Sequence, residues 1–288
     1  MDKSFLRAMA KQAEAEHAAT PDPYASPNLK TTPSGYLLYS SFLANQFVYD
    51  DLKFVDFPAI VYDVLTPNLS PPTSSPTSTS TSTSTITIHQ DKKQGKGGLV
   101  WCASFILGEY ISTTIEFSPS LSSSPLNILE LGSGTGLASI YLSAFLETSQ
   151  IHSSITTTDL PSLLPLLEQN VAANRHESKF STLTPSILSW GVDDGNFSPD
   201  SFDYIIGADI VASLYDPVAL ASTIHTLANA STKVYISFKG REQVYHDKFE
   251  AAMNGKFVES TVELMGDEGF GGRNRNPGVG ILFFTGKI

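Results

Sequence analysis

The feature that most constrains the fold of this sequence is an apolar segment that runs into three closely spaced glycines. Residues 127–131 have the composition of a buried strand, and residues 137–146 have that of an apolar helix. Gly132, Gly134 and Gly136 lie between them. Glycines let the backbone turn tightly and approach a ligand without a Cβ clash. The segment therefore predicts a strand, a tight turn and a helix that border a ligand site; a turn that serves close packing alone is the alternative.

The spacing of these glycines distinguishes two kinds of nucleotide site. In the dinucleotide-binding pattern G-x-G-x-x-G, the third glycine comes one residue later than Gly136 does. An acidic residue, Glu130, also lies two positions before the first glycine. This combination is typical of enzymes that bind S-adenosylmethionine, a ligand with an amino-acid moiety and a sulfonium cation but no pyrophosphate. The motif therefore favours that ligand over a dinucleotide.

Strand and helix patterns alternate along the sequence from residue 127 onward. The strand-like segments are residues 127–131, 155–159, 202–210 and 233–238, and the helical segments are residues 137–146, 161–174, 217–230 and 242–253. Two more strand-like segments without an intervening helix follow, at residues 258–264 and 278–285. Repeated alternation implies a mainly parallel sheet with helices on both faces, and the final pair implies an antiparallel addition. The predicted fold class is α/β.

Two further strand patterns lie on either side of a polar tract. Residues 59–65 have strand composition, and residues 85–90 alternate apolar and polar side chains. We read them as two strands that pair. Residues 70–85 contain only Ser, Thr and Pro, so we expect a disordered loop, with a domain linker as the alternative. Helices are expected over residues 3–17 and 99–111. We expect an N-terminal strand and helix extension, packed on the core, at residues 1–68. The loop is expected at residues 69–85 and the main domain at residues 86–288.

Charge and cysteine content narrow the possible partners and compartments. The net charge of −11 argues against a general nucleic-acid binder and is compatible with a basic protein partner; acidity that only keeps the protein soluble is the alternative. The single cysteine, Cys102, and an N terminus unlike a signal peptide favour the cytoplasm, with the nucleus as a second compartment. No apolar run is long enough to span a membrane, and the six histidines lack metal-ligand spacing. We therefore expect neither a membrane nor a metal partner. We also expect the protein to be a monomer.

Two acidic residues follow predicted strands at the sheet edge where ligands usually bind. Asp159 ends the strand of residues 155–159, where a carboxylate can accept both ribose hydroxyls of a nucleoside. A helix N-cap ahead of Pro161 is the alternative. Asp209 ends the strand that begins near Asp203, and at that edge it can hold a substrate amine near a sulfonium. A structural turn acid is the alternative there.

Several motifs, in order, resemble lysine methyltransferase family 16, the seven-β-strand protein-lysine methyltransferases. They are Gly-Gly-Leu-Val-Trp at 97–101, Ile-Leu-Glu-Leu-Gly-Ser-Gly-Thr-Gly at 128–136, Thr-Asp at 158–159, Asn-Val-Ala-Ala-Asn at 170–174, Ser-Trp-Gly at 189–191 and Gly-Ala-Asp-Ile at 207–210. The similarity covers roughly residues 84–288. The glycine motif alone indicates a superfamily, and the two tryptophan motifs make the resemblance specific.

The resemblance implies a Rossmann-like class I methyltransferase fold with a seven-stranded, mostly parallel sheet, S-adenosylmethionine as cofactor, and methyl transfer to a lysine of a protein such as a translation factor or ribosomal protein. It implies cofactor contacts at Trp101, Glu130, Gly132, Gly134, Gly136, Asp159, Leu160, Trp190 and Ala208. Trp190 is expected near the adenine, where an aromatic face can stack on a purine, with a packing role for the tryptophans as the alternative.

One position departs from the family pattern. The family usually has an aromatic residue three positions after the acid that follows the fourth strand, and here that position is Ala212. Either three residues are inserted and Tyr215 takes the role, or the motif is degenerate. Asp209 and Tyr215 are therefore the predicted catalytic residues, as an orienting acceptor and as a wall of the lysine channel. A small-molecule or RNA methyltransferase and a cofactor-binding scaffold without turnover are the alternatives.

Overall fold

The structure is a computed structural model that describes residues 37–39, 54–64, 84–114, 125–175, 179–192, 197–239, 243–264 and 279–288. Its strands are β1 (Leu37–Tyr39), β2 (Ala59–Val64), β3 (Ser84–His89), β4 (Leu126–Leu131), β5 (Ser153–Asp159), β6 (Ser181–Ile187), β7 (Phe202–Ala208), β8 (Ala228–Lys239), β9 (Phe257–Leu264) and β10 (Val279–Lys287). Its α-helices are α1 (Cys102–Thr114), α2 (Leu137–Thr148), α3 (Leu164–Ala173), α4 (Pro217–Leu227) and α5 (Gln243–Met253). A 3₁₀ segment, Lys92–Gly98, precedes α1.

Seven strands form one sheet in the order β6-β5-β4-β7-β8-β10-β9. The pairs from β6 to β8 are parallel, and β10 lies antiparallel to both β8 and β9. The predicted mainly parallel sheet and its antiparallel addition are therefore confirmed. The seven-stranded, mostly parallel sheet that the resemblance implies is therefore also found.

Both faces of this sheet are buried, because neighbouring residues on each central strand belong to different cores. Ile128 and Ile206 pack in one apolar cluster with side chains of α1 and α2. Leu129 and Ile205 pack in a second cluster with side chains of α4 and α5. Successive strand residues point to opposite faces of a sheet. The helices therefore cover both faces, as predicted.

The order of the strands places a crevice at one edge of the sheet. After β4 the chain proceeds outward to β5 and β6, and it then returns to form β7 on the other side of β4. The connections that leave β4 and β7 thus run in opposite directions. Ligands of open α/β sheets bind at such a switch point, outside the carboxyl ends of the strands. The carboxyl ends of β4, β5 and β7 are therefore where a site is expected.

A second, three-stranded sheet has the order β1-β2-β3. The predicted pairing of β2 with β3 is confirmed: they are antiparallel, with Ile60 opposite Ile88. Their apolar side chains join the core of α1 and α2, where the rings of Tyr62 and Phe105 lie 5.5 Å apart. Thr85, which was counted in both the strand pattern and the polar tract, belongs to β3, and so does Ser84, which was predicted to lie in the loop. The rest of that loop and the helix over residues 3–17 lie outside the described residues.

Strand β6 was not predicted, and its composition shows why. It contains Pro185 and is otherwise mostly Ser and Thr. Proline cannot donate to a strand ladder, so it usually argues against a strand assignment. Here β6 lies at the edge of the seven-stranded sheet, where one side of its backbone needs no partner. Pairing with β5, rather than a local pattern, makes this segment a strand.

The boundary between α4 and β8 was also predicted wrongly. The expected helix extends to residue 230, but α4 ends at Leu227 and β8 begins at the next residue. Asn229 accepts a hydrogen bond from the N–H of Ser231 at 2.8 Å, and its own N–H donates to the hydroxyl of Thr232 at 2.7 Å. Short polar side chains that bond to nearby backbone compete with helix formation. In the part of the chain that the structure describes, no helix is long and apolar enough to cross a membrane.

Candidate active site

A cavity of about 840 Å³ opens at the carboxyl ends of β4, β5 and β7. Its volume lies within the range of roughly 300–1,000 Å³ that is usual for small-molecule and cofactor sites. Nine of the predicted site residues line it, namely Trp101, Gly132, Gly134, Asp159, Leu160, Trp190, Ala208, Asp209 and Tyr215. Residues from distant parts of the sequence therefore meet at the expected edge of the sheet.

The glycine turn approaches the opposite wall of the cavity more closely than any side chain would allow. Gly132 has a φ of 60° and Gly134 a φ of 55°, values that favour glycine. A Cβ on Gly134 would lie 2.7 Å from the carbonyl oxygen of Gly97, and one on Gly132 would lie 2.9 Å from the Trp190 ring. The two tryptophan motifs and the glycine turn are thus in direct contact. The sequence needs glycine at both positions.

Glu130 and Gly136 lie behind the turn and do not line the cavity. The Glu130 carboxylate accepts a hydrogen bond from the hydroxyl of Thr157 at 3.0 Å, and the N–H of Ser139 lies 3.3 Å from the same oxygen. The Thr157 hydroxyl is also 2.7 Å from that of Ser133 in the turn. Burial raises the pKa of Glu130 to about 7, although the bonds from Ser139 and Thr157 oppose that shift. Glu130 therefore supports the turn from the side that faces away from the cavity.

Asp159 holds the turn from the cavity side. One carboxylate oxygen accepts from the N–H of Gly134 and the other from the N–H of Leu160, both at 2.7 Å. Burial raises the pKa of Asp159, while these two bonds oppose the rise. The alternative that Asp159 caps the next helix is wrong, because α3 begins at Leu164 with Leu163 at its N-cap. Each carboxylate oxygen has a second lone pair, so Asp159 can still accept ribose hydroxyls.

The two tryptophans border the cavity from loops that are themselves anchored. The indole N–H of Trp101 donates to the carbonyl of Lys96 at 2.9 Å. After Trp190, the N–H of Gly191 donates to the hydroxyl of Thr223 in α4 at 2.9 Å. Both rings are therefore held at the cavity wall, where an aromatic face can stack on a base or border a cation.

Asp209 and Tyr215 lie on the part of the wall formed by β7 and the loop after it. Asp209 has a φ of 56°, and its N–H donates to the carbonyl of Ser237 at 2.8 Å. The Tyr215 ring packs edge-on against Trp190, with ring centroids 5.4 Å apart. Burial raises the pKa of Tyr215, and the carboxylates of Asp159 and Asp209 raise it further. The loop thus brings Tyr215 to the cavity beside Ala212, the position where the family pattern places its aromatic.

Sequence reasoning missed several residues of the wall. Gln94, Lys96, Ser104, Leu163 and Leu188 line the cavity but were not singled out. Leu188 directly precedes the second tryptophan motif, so proximity to that motif was the available signal. The others lie in turns or at a helix start, where side-chain type carries no periodic signal. Within the described residues, no group of three or more His, Cys, Asp or Glu side chains is arranged to hold a metal ion.

Comparison with known proteins agrees with this geometry. The family model described as lysine methyltransferase matches residues 80–255, more than half of the chain. EEF1A lysine methyltransferase 3 of Xenopus tropicalis is 32% identical over 162 residues, which are 55% of this chain and 64% of that protein. Protein-lysine methyltransferase METTL21E of Bos taurus is 32% identical over 174 residues, which are 58% of this chain and 57% of that protein. The chain thus spans less than two thirds of either relative's length.

Among solved structures, the carbon methyltransferase CurJ aligns with 69% of this chain and 56% of that chain, with a TM-score of 0.46 and 14% identity. Nothing about chemistry follows from a likeness at that level. The fold and the strand-end cavity are those of a class I methyltransferase, whose cofactor is S-adenosylmethionine. Within that class, this chain belongs to the lysine methyltransferase family. The resemblance seen in its sequence is confirmed.

The residues at the cavity fit this cofactor. Gly132, Ser133 and Gly134 line the cavity, and because the two glycines carry no Cβ, a ligand can approach the backbone of the turn there. Asp159 lies at the end of β5 in position to accept ribose hydroxyls, and the rings of Trp101 and Trp190 border the same cavity. The cofactor contacts of the individual residues remain predictions.

Proposed function

We propose that this protein is a protein-lysine N-methyltransferase that moves a methyl group from S-adenosylmethionine to the ε-amine of a lysine in a protein substrate. The proposal is based on one observation, that two sets of residues line the same cavity. The first is the glycine turn with Asp159, and the second is Asp209 with Tyr215. The family match and the names of both relatives support a lysine acceptor.

When bound, S-adenosylmethionine supplies an electrophilic methyl group on a sulfonium. In this proposal the chain's own residues hold the cofactor, exclude water and orient the acceptor amine. Gly134 and Asp159 shape and hold the nucleoside side of the cavity. Trp190 and Tyr215, in contact with each other, exclude water from the space beside them. Excluding water and fixing the two reactants within near-attack distance lowers the barrier of a displacement reaction.

The acceptor amine must lose its proton before it can attack, since the pKa of an unperturbed lysine is about 10.4. A carboxylate beside an ammonium group raises that pKa, so Asp209 is proposed as an acceptor that orients the amine rather than as a strong base. The aromatic wall at Tyr215 opposes this effect, because a desolvated site favours the neutral amine. The proton then leaves to solvent at the open side of the cavity, beside the exposed Leu214.

The partner proposed for this site is a protein with a basic surface, such as a translation factor or a ribosomal protein. The net charge of −11 supports this proposal, since opposite charge steers association. We further propose a monomer located in the cytoplasm, with the nucleus as a second compartment, and the buried Cys102 thiol is compatible with a reducing compartment. Sedimentation analysis and imaging of the tagged protein test these two proposals.

The function is tested by incubating the protein with a cell lysate and S-adenosylmethionine that carries a labelled methyl group. A labelled protein band whose label is recovered as methyl-lysine after hydrolysis supports the proposal. Label in RNA or in small molecules, or none above the level of a Gly134→Arg control, contradicts it. The control replaces a glycine of the cavity wall with a long side chain, so it reports label that does not depend on this cavity.

A further inference from the structure

The motif at residues 170–174 lies outside the cavity wall, yet its two asparagines bond to the backbone of β3. The Asn170 side chain accepts from the N–H of His89 at 2.8 Å and donates to the carbonyl of the same residue at 3.0 Å. The Asn174 side chain does the same with Thr87, at 2.8 Å and 2.7 Å. Each amide side chain thus pairs with β3 as a residue of a neighbouring strand would.

The spacing of the two asparagines matches the spacing of the strand residues that they bind. Four residues along a helix rise about 6 Å, and two residues along a strand rise about 6.6 Å. Asn170 and Asn174 therefore meet His89 and Thr87 in register. Because β2 pairs with β3 on its other side, the helix closes the open edge of the described three-stranded sheet.

The second side-chain N–H of each asparagine donates to a backbone carbonyl outside β3, and the two carbonyls differ in position. Asn170 donates to the carbonyl of Thr135, within the glycine turn, at 2.9 Å. Asn174 donates to the carbonyl of Asn170, within its own helix, at 2.7 Å. Asn170 is 0% exposed, and both of its N–H groups and its oxygen are bonded. It therefore joins the glycine turn to β3, whereas Asn174 joins only the helix to β3.

The strand held in this way leads directly to the other wall of the cavity. After His89 comes Gln90, whose side chain accepts from the N–H of Val100 at 2.9 Å. The segment between Gln90 and Val100 carries Gly97, whose carbonyl lies against Gly134. Asn170 is therefore a direct link between the glycine turn and the strand that sets the position of the Gly97 segment.

We propose that Asn170 is a positioning residue that fixes these two walls of the cavity relative to each other and thereby sets the affinity for the cofactor. It acts through the backbone of Thr135 and His89 and touches no ligand. The proposal goes beyond the transfer reaction and rests only on the assignment of the cavity as the cofactor site.

Asn170→Ala and Asn174→Ala form a matched pair for the test, because both remove the bonds to β3 and only the first removes the bond to the glycine turn. Titration calorimetry with S-adenosylhomocysteine is carried out at a temperature at which both variants are folded by circular dichroism. We expect affinity about tenfold weaker than that of the unmodified protein for Asn170→Ala and within about twofold of it for Asn174→Ala. Equal changes in the two variants, or no change in either, overturn the proposal. Failure of the unmodified protein to bind would instead overturn the cofactor assignment.

Asn170→Asp and Asn174→Asp provide a milder pair if the alanine variants do not fold. In Asn170→Asp, one carboxylate oxygen still accepts from the N–H of His89, and the other faces the carbonyls of His89 and Thr135. Protonation lets that second oxygen donate to one of the two carbonyls. We expect the affinity of Asn170→Asp, relative to the unmodified protein, to fall as the pH rises from about 5 to about 8. The same ratio for Asn174→Asp should stay constant, and a constant ratio in both variants overturns the proposal.

Discussion

The two sides of the cavity differ in how deeply their polar groups are buried. On the side of β4 and β5, Ser133 and Asp159 are less than 10% exposed, and the Asp159 carboxylate bonds to two backbone N–H groups. On the side of β7, Leu214 is 56% exposed, and Asp209 and Tyr215 are only half-buried. The cofactor is the same in every reaction cycle, so a preorganised wall can bind it. A protein substrate needs a wall that is open to solvent.

The largest effect is expected from Gly134→Arg on the preorganised side. The side chain would clash with the carbonyl of Gly97 and enter the cavity, so affinity for S-adenosylhomocysteine should fall by at least about a thousandfold, measured by calorimetry. Gly255→Arg is the matched control, because Gly255 also has a positive φ but a Cβ there meets nothing within 4 Å. Both variants carry backbone strain of about 1–2 kcal/mol. If both bound the ligand equally well, the glycine turn would not be the cofactor wall.

Asp209→Ala tests the open side of the cavity. We expect methyl transfer to protein to fall by about a hundredfold to a thousandfold, as when a preorganised polar group is removed from other active sites. Affinity for S-adenosylhomocysteine should change by less than about fivefold, since Asp159 and the glycine turn are intact. Single-turnover rates and calorimetry on the same preparation measure the two quantities. A fully active variant would remove the acidic residue placed beside the substrate amine.

Glu130→Gln tests whether the burial of the Glu130 carboxyl, on the preorganised side, makes the stability of the protein depend on pH. The pKa of Glu130 is raised to about 7 in the folded protein. The contribution of its protonated carboxyl to the free energy of unfolding is therefore fully present below about pH 4.5 and is lost as the pH rises through about 7. Between about pH 5 and pH 8, the unmodified protein should therefore lose stability relative to the variant, on the order of 3 kcal/mol. Urea unfolding at both pH values measures this difference. Parallel pH profiles for the two proteins would show that Glu130 is ionised throughout.

The smallest effect is expected from Tyr215→Ala, which sharpens the comparison on the open side. Removal of the ring that packs against Trp190 should lower the transfer rate by about tenfold while cofactor affinity stays nearly constant. Tyr215→Phe keeps the ring and should retain most of the rate. If Tyr215→Ala transfers at the unmodified rate, Tyr215 does not replace the aromatic that the family pattern places at residue 212.

Much of the fold could be predicted because its signals are local. Strand β4 and helix α2 follow from apolar runs of the right length and period. The alternation of strand and helix patterns over residues 127–253 implies a parallel sheet with covered faces. The edge strand β6 could not be predicted, because Pro185 obscures its pattern and only pairing with β5 makes it a strand. The end of α4 was misplaced because short polar side chains at the start of β8 bond locally.

Of the candidate site, the sequence by itself determined the chemistry at each strand end: the glycines of the turn, the carboxylates Asp159 and Asp209, and the two tryptophans. These are properties of short segments, and each requires a particular residue type at a particular place. Only the tertiary structure decided that Glu130 lies behind the turn, that Tyr215 reaches Trp190, and that Asn170 joins the turn to β3. Those contacts link residues up to 81 positions apart, and neither periodicity nor composition records which distant backbone a buried amide will meet.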